Sequence, residues 1–493
     1  MKAYKQLEAT YERLHHLNHL SSITHWDQAA MMPSGSNEAR SKAMAEYGVL
    51  MHQLSTDPKI GDLIQNAGNE ALNEVQKASL REIKKSYDLS TWLPEDLVKA
   101  KSLAGSKCEH AWRTQRPNND WKGFVSNFKE VLRLTREEAK LLSEKTGLTP
   151  YNSLIDLYEP GMNTETLDAI FEDVKSWLPG LVQEIVEKQK TRQVIQPVGP
   201  FSIEKQKELG LKVMAKLGFD FSRGRVDVSS HPFCGGVPED VRMTTRYDEN
   251  DFVKALMGIV HETGHARYEQ NLPEDLRVLP VGRARSMGIH ESQSLFFEMQ
   301  LGRSEEFLKS IHQDIIDSFG NVEAFAIDNL VSLYRQVKPD FIRVDADEVT
   351  YPAHIILRYE IEKALISGSI EAEDIPDIWN EKMMKYLGVD TKGNYTQGPM
   401  QDIHWTDGAF GYFPSYTLGA MYAAQEFNSV KKQSPNVEEQ IAKGDYSAAF
   451  SWLDKNIWKK ASTLSTDELI KEATGETLNP MYLKNHLTNR YLK

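Results

Sequence analysis

Residues 252–270 read "FVKALMGIVHETGHARYEQ", and the folding of this stretch decides how the rest of the chain is understood. Phe252, Leu256, Ile259 and Val260 recur at steps of three and four, which predicts an amphipathic helix running into His261. On such a helix His261 and His265 lie four apart, so both imidazoles leave one face and can bind a single ion. Glu262 sits one step round, near enough to hold a water activated by that ion without ligating it. The competing reading is a surface helix with two solvated histidines.

A catalytic zinc takes three protein ligands and keeps one position open. Glu291 lies 26 residues beyond His265, within a second helical stretch, "SMGIHESQSLFFEMQLG". The intervening "NLPEDLRVLPVGRARS" leaves room for the chain to turn and come back to the metal. His290 and Glu298 compete for the third place. His290 faces a different direction from Glu291, and Glu298 falls two turns along the same face. For either glutamate the ordinary fate is an exposed helix position.

Composition narrows the setting. The 493 residues predict either several units of ordinary domain size or one large body. Hydrophobic residues at 40% and charged residues at 26% fit a soluble globular protein. A net charge of −13, with no basic patch visible along the sequence, argues against nucleic acid as a partner. Cys108 and Cys234 stand far apart without a CxxC pair. Thiolate zinc and a disulfide framework are thereby excluded, leaving His and carboxylate as ligands. No apolar run reads as a signal peptide or approaches the ~20 residues of a membrane span, so no membrane partner and a cytoplasmic location are expected.

Helical periodicity dominates, as in "YKQLEATYERLHHL", "FKEVLRLTREEAKLL" and "LDAIFEDVKSWLPGLVQEIVEKQK", with breaks around Pro33, Pro94 and Pro117. Residues 224–248 alternate β-branched and polar residues around Gly235 and Gly236, which predicts short strands. The expected fold is mainly α, with a small antiparallel sheet beside the zinc helix. No linker divides the chain. We expect one domain over 1–493: a helical wall and roof (1–220), a part carrying the zinc and substrate motifs (221–425) and a helical C-terminal part (426–493). The whole would be a two-lobed body with a deep substrate groove. "HHLNHL" at 15–20 reads as the polar face and flank of a helix rather than a second metal site.

Further blocks accompany the zinc helix: "WDQAAMMP" (26–33), "HPF" (231–233), "DVRMT" (240–244), "HESQ" (290–293), "IRVDAD" (342–347) and "GPMQDIHW" (398–405). With them the chain resembles the thermostable (Taq-type) carboxypeptidase family of zinc metallocarboxypeptidases over most of its length. The resemblance implies His261, His265 and Glu291 as zinc ligands and Glu262 as the catalytic carboxylate. It further implies release of C-terminal residues from peptides with a free C-terminus, broad specificity, a homodimer, and one zinc per chain for which cobalt can substitute.

Hydrolysis through a tetrahedral oxyanion needs donors beyond the metal. His404, Tyr412 and Tyr416, in "QDIHWTDGAFGYFPSYTLGAMY", are the candidates. Core packing is the alternative for each tyrosine. Reading a terminal carboxylate calls for a positioned arginine. Arg343 is the first candidate; it precedes an expected helix start with Asp345 and Glu348 spaced as a capping box. Arg242 is the second, with an internal pair to Asp240 or Glu239 as its alternative. His231 either binds substrate or ends a turn. A short edge strand in 231–245 could hold an extended peptide by main-chain bonds. The rival functions are an oligopeptidase or dipeptidase on the same scaffold, and a non-catalytic peptide-binding protein.

Overall fold

The computed structural model describes residues 2–229 and 232–493. Helices account for nearly all of the regular structure, as the periodicity predicts. The second and third quoted repeats become Trp121–Thr146 and Thr164–Gln189. Each begins where a short side chain accepts a backbone N–H of the first turn: Asp120 from Gly123, and Asn163 from Thr166. The breaks at Pro33, Pro94 and Pro117 follow helix ends at Ala30, Trp92 and Gln115, whereas Pro179 lies within Thr164–Gln189.

Two hydrophobic clusters organise the helices. The larger draws residues from Cys108 through Tyr491. The smaller joins Tyr4, Leu7, Tyr11 and Leu14 of the N-terminal helix (Lys2–Ala30) to Ile60, Leu63 and Ile83. It also takes in Leu279 and Val281, from the connector between the two histidine-bearing segments. The N-terminal helices are thereby fastened beside the chain that carries the site. Among the described residues no helix is long and apolar enough to cross a membrane.

The sheet has three strands, β1 (Gly224–Val228), β2 (Cys234–Val237) and β3 (Asp240–Thr245), in the order β1-β3-β2. β2 and β3 form an antiparallel hairpin, whereas β1 runs parallel to β3 with Gly224 opposite Val241. The expected antiparallel sheet is therefore corrected to a mixed one. β2, on the far side of β3, runs opposite to both, and the β2–β3 reversal leaves β1 and β3 pointing the same way. Val241 and Met243 pack with Ile259 and Ala266 of the motif helix (Phe252–Asn271), which sets the sheet beside it as expected. β3 lies in the middle, so only β2 offers an edge within this segment.

A second correction concerns the helix after "IRVDAD". It begins at Tyr351, and Asp347 rather than Asp345 serves its start, accepting from the N–H groups of Val349 and Thr350 at 2.9 Å each. Asp345 pairs instead with Lys254, and Glu348 is drawn to the C-terminal helix (Met481–Leu492).

Candidate active site

The motif helix and the ligand helix (Met287–Leu295) approach closely because a glycine stands where they meet. A Cβ on Gly264 would lie 2.4 Å from the Gln293 carbonyl oxygen and 2.6 Å from Ser294 Cα. A second glycine does the same on the other side. In the helix Pro414–Gln433, a Cβ on Gly419 would come within 2.6 Å of Glu291 Cβ. Glycine in a helix interior costs about 0.5–1 kcal/mol relative to alanine, a cost set here against close helix approach.

This approach brings Glu291 Oε2 to 3.8 Å from His261 Nε2 and 3.7 Å from His265 Nε2. These are the edges of a cluster able to hold a metal ion. Both opposite ring nitrogens are engaged elsewhere. His261 Nδ1 lies 2.8 Å from Glu298 Oε2, and Glu298 Oε1 accepts from Arg303 at 3.2 Å. His265 Nδ1 lies 2.6 Å from His290 Nδ1, and His290 Nε2 lies 2.8 Å from Glu269. The two residues that competed with Glu291 thus stand behind the histidines, orienting the rings. A donor set of two imidazoles and one carboxylate, with both Nε2 atoms left facing that carboxylate, fits a zinc-like divalent cation.

Glu298 reaches His261 because the ligand helix continues as a π-helical segment, Phe296–Gly302. Its wider turns rotate Glu298 off the face of Glu291, where a regular helix would have put it. Carbonyls near the end of this segment are capped by the C-terminal helix. Arg490 donates to the Met299 and Gln300 carbonyls, the latter at 2.9 Å, and pairs with Glu348 at 2.9 Å.

Burial pulls the His261 imidazole down, but the hydrogen bond and charge of Glu298 prevail and carry it to about 9. His265 is pushed well down by burial and by His290 and His261. Glu291 is raised by burial. Glu262 is 9% exposed and its Oε2 has no hydrogen-bond partner. Burial raises it to about 7, against the pull of His261. A carboxylate with a free oxygen beside the cluster is placed to handle a proton.

Within electrostatic reach of this cluster lies an arginine-rich wall. Arg343 donates from Nε to Asp402 Oδ1 at 2.9 Å and from Nη1 to the Tyr351 hydroxyl at 2.7 Å. Arg358 donates to Asp402 Oδ2 at 2.7 Å. Two positive charges against one negative leave a net +1 in a buried place. Burial would raise Asp402, but the two guanidiniums hold it well below the usual carboxylate range. Arg343 also stacks 4.9 Å from the Tyr416 ring centre, and its charge acts on Glu291.

His404 Nε2 lies 3.2 Å from the Tyr416 hydroxyl, and the Tyr412 and Tyr416 rings are 5.3 Å apart. His404 Nδ1 is buried without a partner, and burial together with Arg343 lowers this histidine to about 4. It is neutral at physiological pH, with a ring nitrogen free to donate or accept. The segment carrying these groups is tied down by Glu362, which accepts from the Trp405 indole, the Tyr151 hydroxyl and the Gly411 N–H, each at 2.8 Å. A Cβ on Gly411 would lie 2.9 Å from Ile155 N, and φ there is 86°.

Arg242 stands apart from this wall. Its fork is filled by Asp240, at 2.5 and 2.7 Å, and its guanidinium lies 4.4 Å from the Trp26 ring centre. The geometry matches the internal pair weighed as its alternative. His231 lies outside the described residues. Sequence reasoning missed Asp402, Arg358 and Tyr351 as partners of Arg343. The spacing of Tyr351 and Arg358 by seven on one helix was the available signal.

Two histidines and a glutamate, converging beside a buried unbonded carboxylate on a helical scaffold, define a metallopeptidase-type centre. The profile of the carboxypeptidase Taq (M32) metallopeptidases matches residues 6–491, and the chain belongs to that family. It is 35% identical to carboxypeptidase 1 of Bacillus subtilis, over 97% of this chain and 96% of the relative. It is likewise 35% identical to thermostable carboxypeptidase 1 of Thermus thermophilus, over 99% and 98%. Among solved structures, metallocarboxypeptidase 1 of Trypanosoma cruzi superposes with a TM-score of 0.98 at 46% identity, covering 100% of both chains. The protein is a metallocarboxypeptidase acting on peptides.

Proposed function

We propose that the chain is a zinc-dependent carboxypeptidase that removes residues one at a time from free peptide C-termini, with Glu262 as general base. The observation that carries the exopeptidase part is the net +1 of Arg343, Asp402 and Arg358, within electrostatic reach of Glu291. A buried surplus cation favours a substrate that brings its own negative charge, and a free terminal carboxylate is such a group.

His261, His265 and Glu291 would hold the ion. A bound zinc supplies Lewis acidity, making a water acidic at neutral pH and polarising the scissile carbonyl. Glu262 takes the proton of the attacking water on its unbonded Oε2 and passes it to the leaving amine. His404 and Tyr416 donate toward the developing oxyanion, with Tyr412 packed against Tyr416. Arg343 receives the substrate carboxylate, supported by Tyr351. Arg242 is matched by Asp240 in a two-bond pair, whereas Arg343 shares Asp402 with Arg358, so Arg242 supports the sheet and the N-terminal helix better than it supports substrate.

Broad residue tolerance, a homodimer, a cytoplasmic location, a single domain over 1–493 and substitution of zinc by cobalt belong to the same reading, carried by the family resemblance. The test is the product pattern from an unmodified decapeptide. Single amino acids released stepwise from the C-terminus are expected. Internal fragments at early times would instead make the chain an oligopeptidase on the same scaffold.

A further inference from the structure

Although the protein is strongly acidic overall, the fold gathers positive charge at one place away from the metal cluster. A cavity of about 310 Å³ is lined by Lys188, Lys190, Arg192, Arg335 and Arg490, and no carboxylate lines it. The first three follow one another in "KQKTR", where the helix Thr164–Gln189 ends. Lysines near a helix C-terminus are favoured by the dipole, which explains Lys188 and Lys190 without a ligand. Arg335 and Arg490 also stand at helix C-termini, those of Ile327–Tyr334 and Met481–Leu492, so three helix ends bring their basic residues to one cavity.

The neutralisation of these cations is incomplete. Lys188 donates to the Tyr491 carbonyl at 3.2 Å, and Lys190 pairs with Glu187. Arg490 is committed to Glu348, which also accepts from His486 at 3.0 Å and the Tyr491 hydroxyl at 2.8 Å. Arg335 donates from Nε to the Arg303 carbonyl at 3.2 Å and makes no ion pair among the described residues. Burial first, and then the charge of Arg490, push its guanidinium down from the ordinary range. Arg192 is exposed and likewise makes no ion pair. A half-buried guanidinium facing another cation across a cavity is unfavourable unless something negative comes between them.

We propose that this cavity binds a compact oxyanion carrying at least two negative charges, a small phosphate- or sulfate-like group rather than a polymer. Arg335 and Arg490 are the more buried of its cations, and Lys190 and Arg192 the more exposed. Arg335, bonded only through Nε, offers the paired Nη donors that tetrahedral oxyanions take, while Arg490, whose Nη atoms are bonded to the Met299 and Gln300 carbonyls and Glu348, contributes its charge. At about 310 Å³ the cavity exceeds the volume of one such group several-fold, leaving room for ordered water around it. The site shares no residue with the metal cluster.

The test is equilibrium dialysis of the full-length, metal-loaded protein against radiolabelled sulfate, with ionic strength held constant by sodium chloride. The expectation is saturable binding at one site per chain with a dissociation constant of about 1 mM or tighter. Arg335→Gln is expected to weaken it at least ~10-fold and Arg192→Gln by ~2–3-fold, in line with buried against exposed charge. Should Arg335→Gln fail to fold, Lys188→Gln carries the same comparison, since its side chain contacts only a backbone carbonyl. Absence of saturable binding would overturn the proposal. So would binding that persists unchanged in Arg335→Gln and Lys188→Gln, which would assign the anion to the arginines at the active site.

Discussion

Glu262 owes its chemistry to what it lacks: one of its carboxylate oxygens is buried beside the ligand cluster with nothing to bond. Glu262→Gln keeps the shape and removes the base, so kcat/KM should fall by about 10²–10⁴-fold while metal content stays at the wild-type level. Loss of metal together with activity would instead make Glu262 structural. Arg343 acts through the surplus charge around Asp402. Arg343→Lys keeps the charge but loses the fork, and KM for free-acid peptides should rise by on the order of 10-fold or more with kcat changed less. At this scale the sequence was most legible where partners are neighbours on a helix. The spacing put His261 and His265 on one face with Glu262 beside them, and the family blocks pointed to Glu291, which the fold brings to both histidines. His290 and Glu298 were visible as metal-site residues but not in their positions behind the histidines. The π-helical segment that turns Glu298 onto Nδ1 leaves no mark in the apolar pattern.

Elements meet at this site through backbone contact more than through side-chain size. Gly264 and Gly419 let three helices close around Glu291, and neither glycine advertises this in sequence, because the contact lies across the fold. The C-terminal helix is equally hidden: Arg490 caps the π-helical carbonyls nearly two hundred positions after the residue it helps to place. Arg490→Met is expected to weaken metal binding by about 10–100-fold, as loss of an outer support does, read by competition with a chelating dye. Partial recovery in Arg490→Lys would separate the capping role from general destabilisation. Unchanged affinity in both variants would show that the π-helical segment holds its shape unaided. The sheet was legible as strands but not in its order, since the parallel pairing of β1 depends on where the chain crosses and not on local alternation.

Across the whole molecule, stability carries a pH signature from Glu426, a fully buried glutamate bonded by Ser292 and Gln293 behind the ligand helix. Burial raises its pKa from 4.5 to about 8. Its contribution is fully present below pH 4.5, where folded and unfolded chains are both protonated, and is lost as pH rises through about 8. Within that window the loss amounts to about 1.4 kcal/mol per pH unit for one proton. Glu426→Gln should therefore gain thermal stability relative to wild type on going from pH 5 to pH 8. An equal difference at the two pH values would mean that Glu426 is ionised in the fold. The mainly helical class was legible because apolar periodicity is local. The gathering of basic side chains around Arg335 was not, because its members lie up to three hundred residues apart in an acidic chain.

The central claim is that one site combines a metal with recognition of a free C-terminus, and the most direct measurement is a paired time course. One peptide and its C-terminally amidated twin are incubated with metal-stripped and zinc-restored enzyme, and released amino acids are counted. The account predicts stepwise release from the free acid alone, abolished by stripping and recovered with zinc. Equal hydrolysis of the amide would contradict the role given to Arg343, and full activity after stripping would contradict the role given to His261, His265 and Glu291.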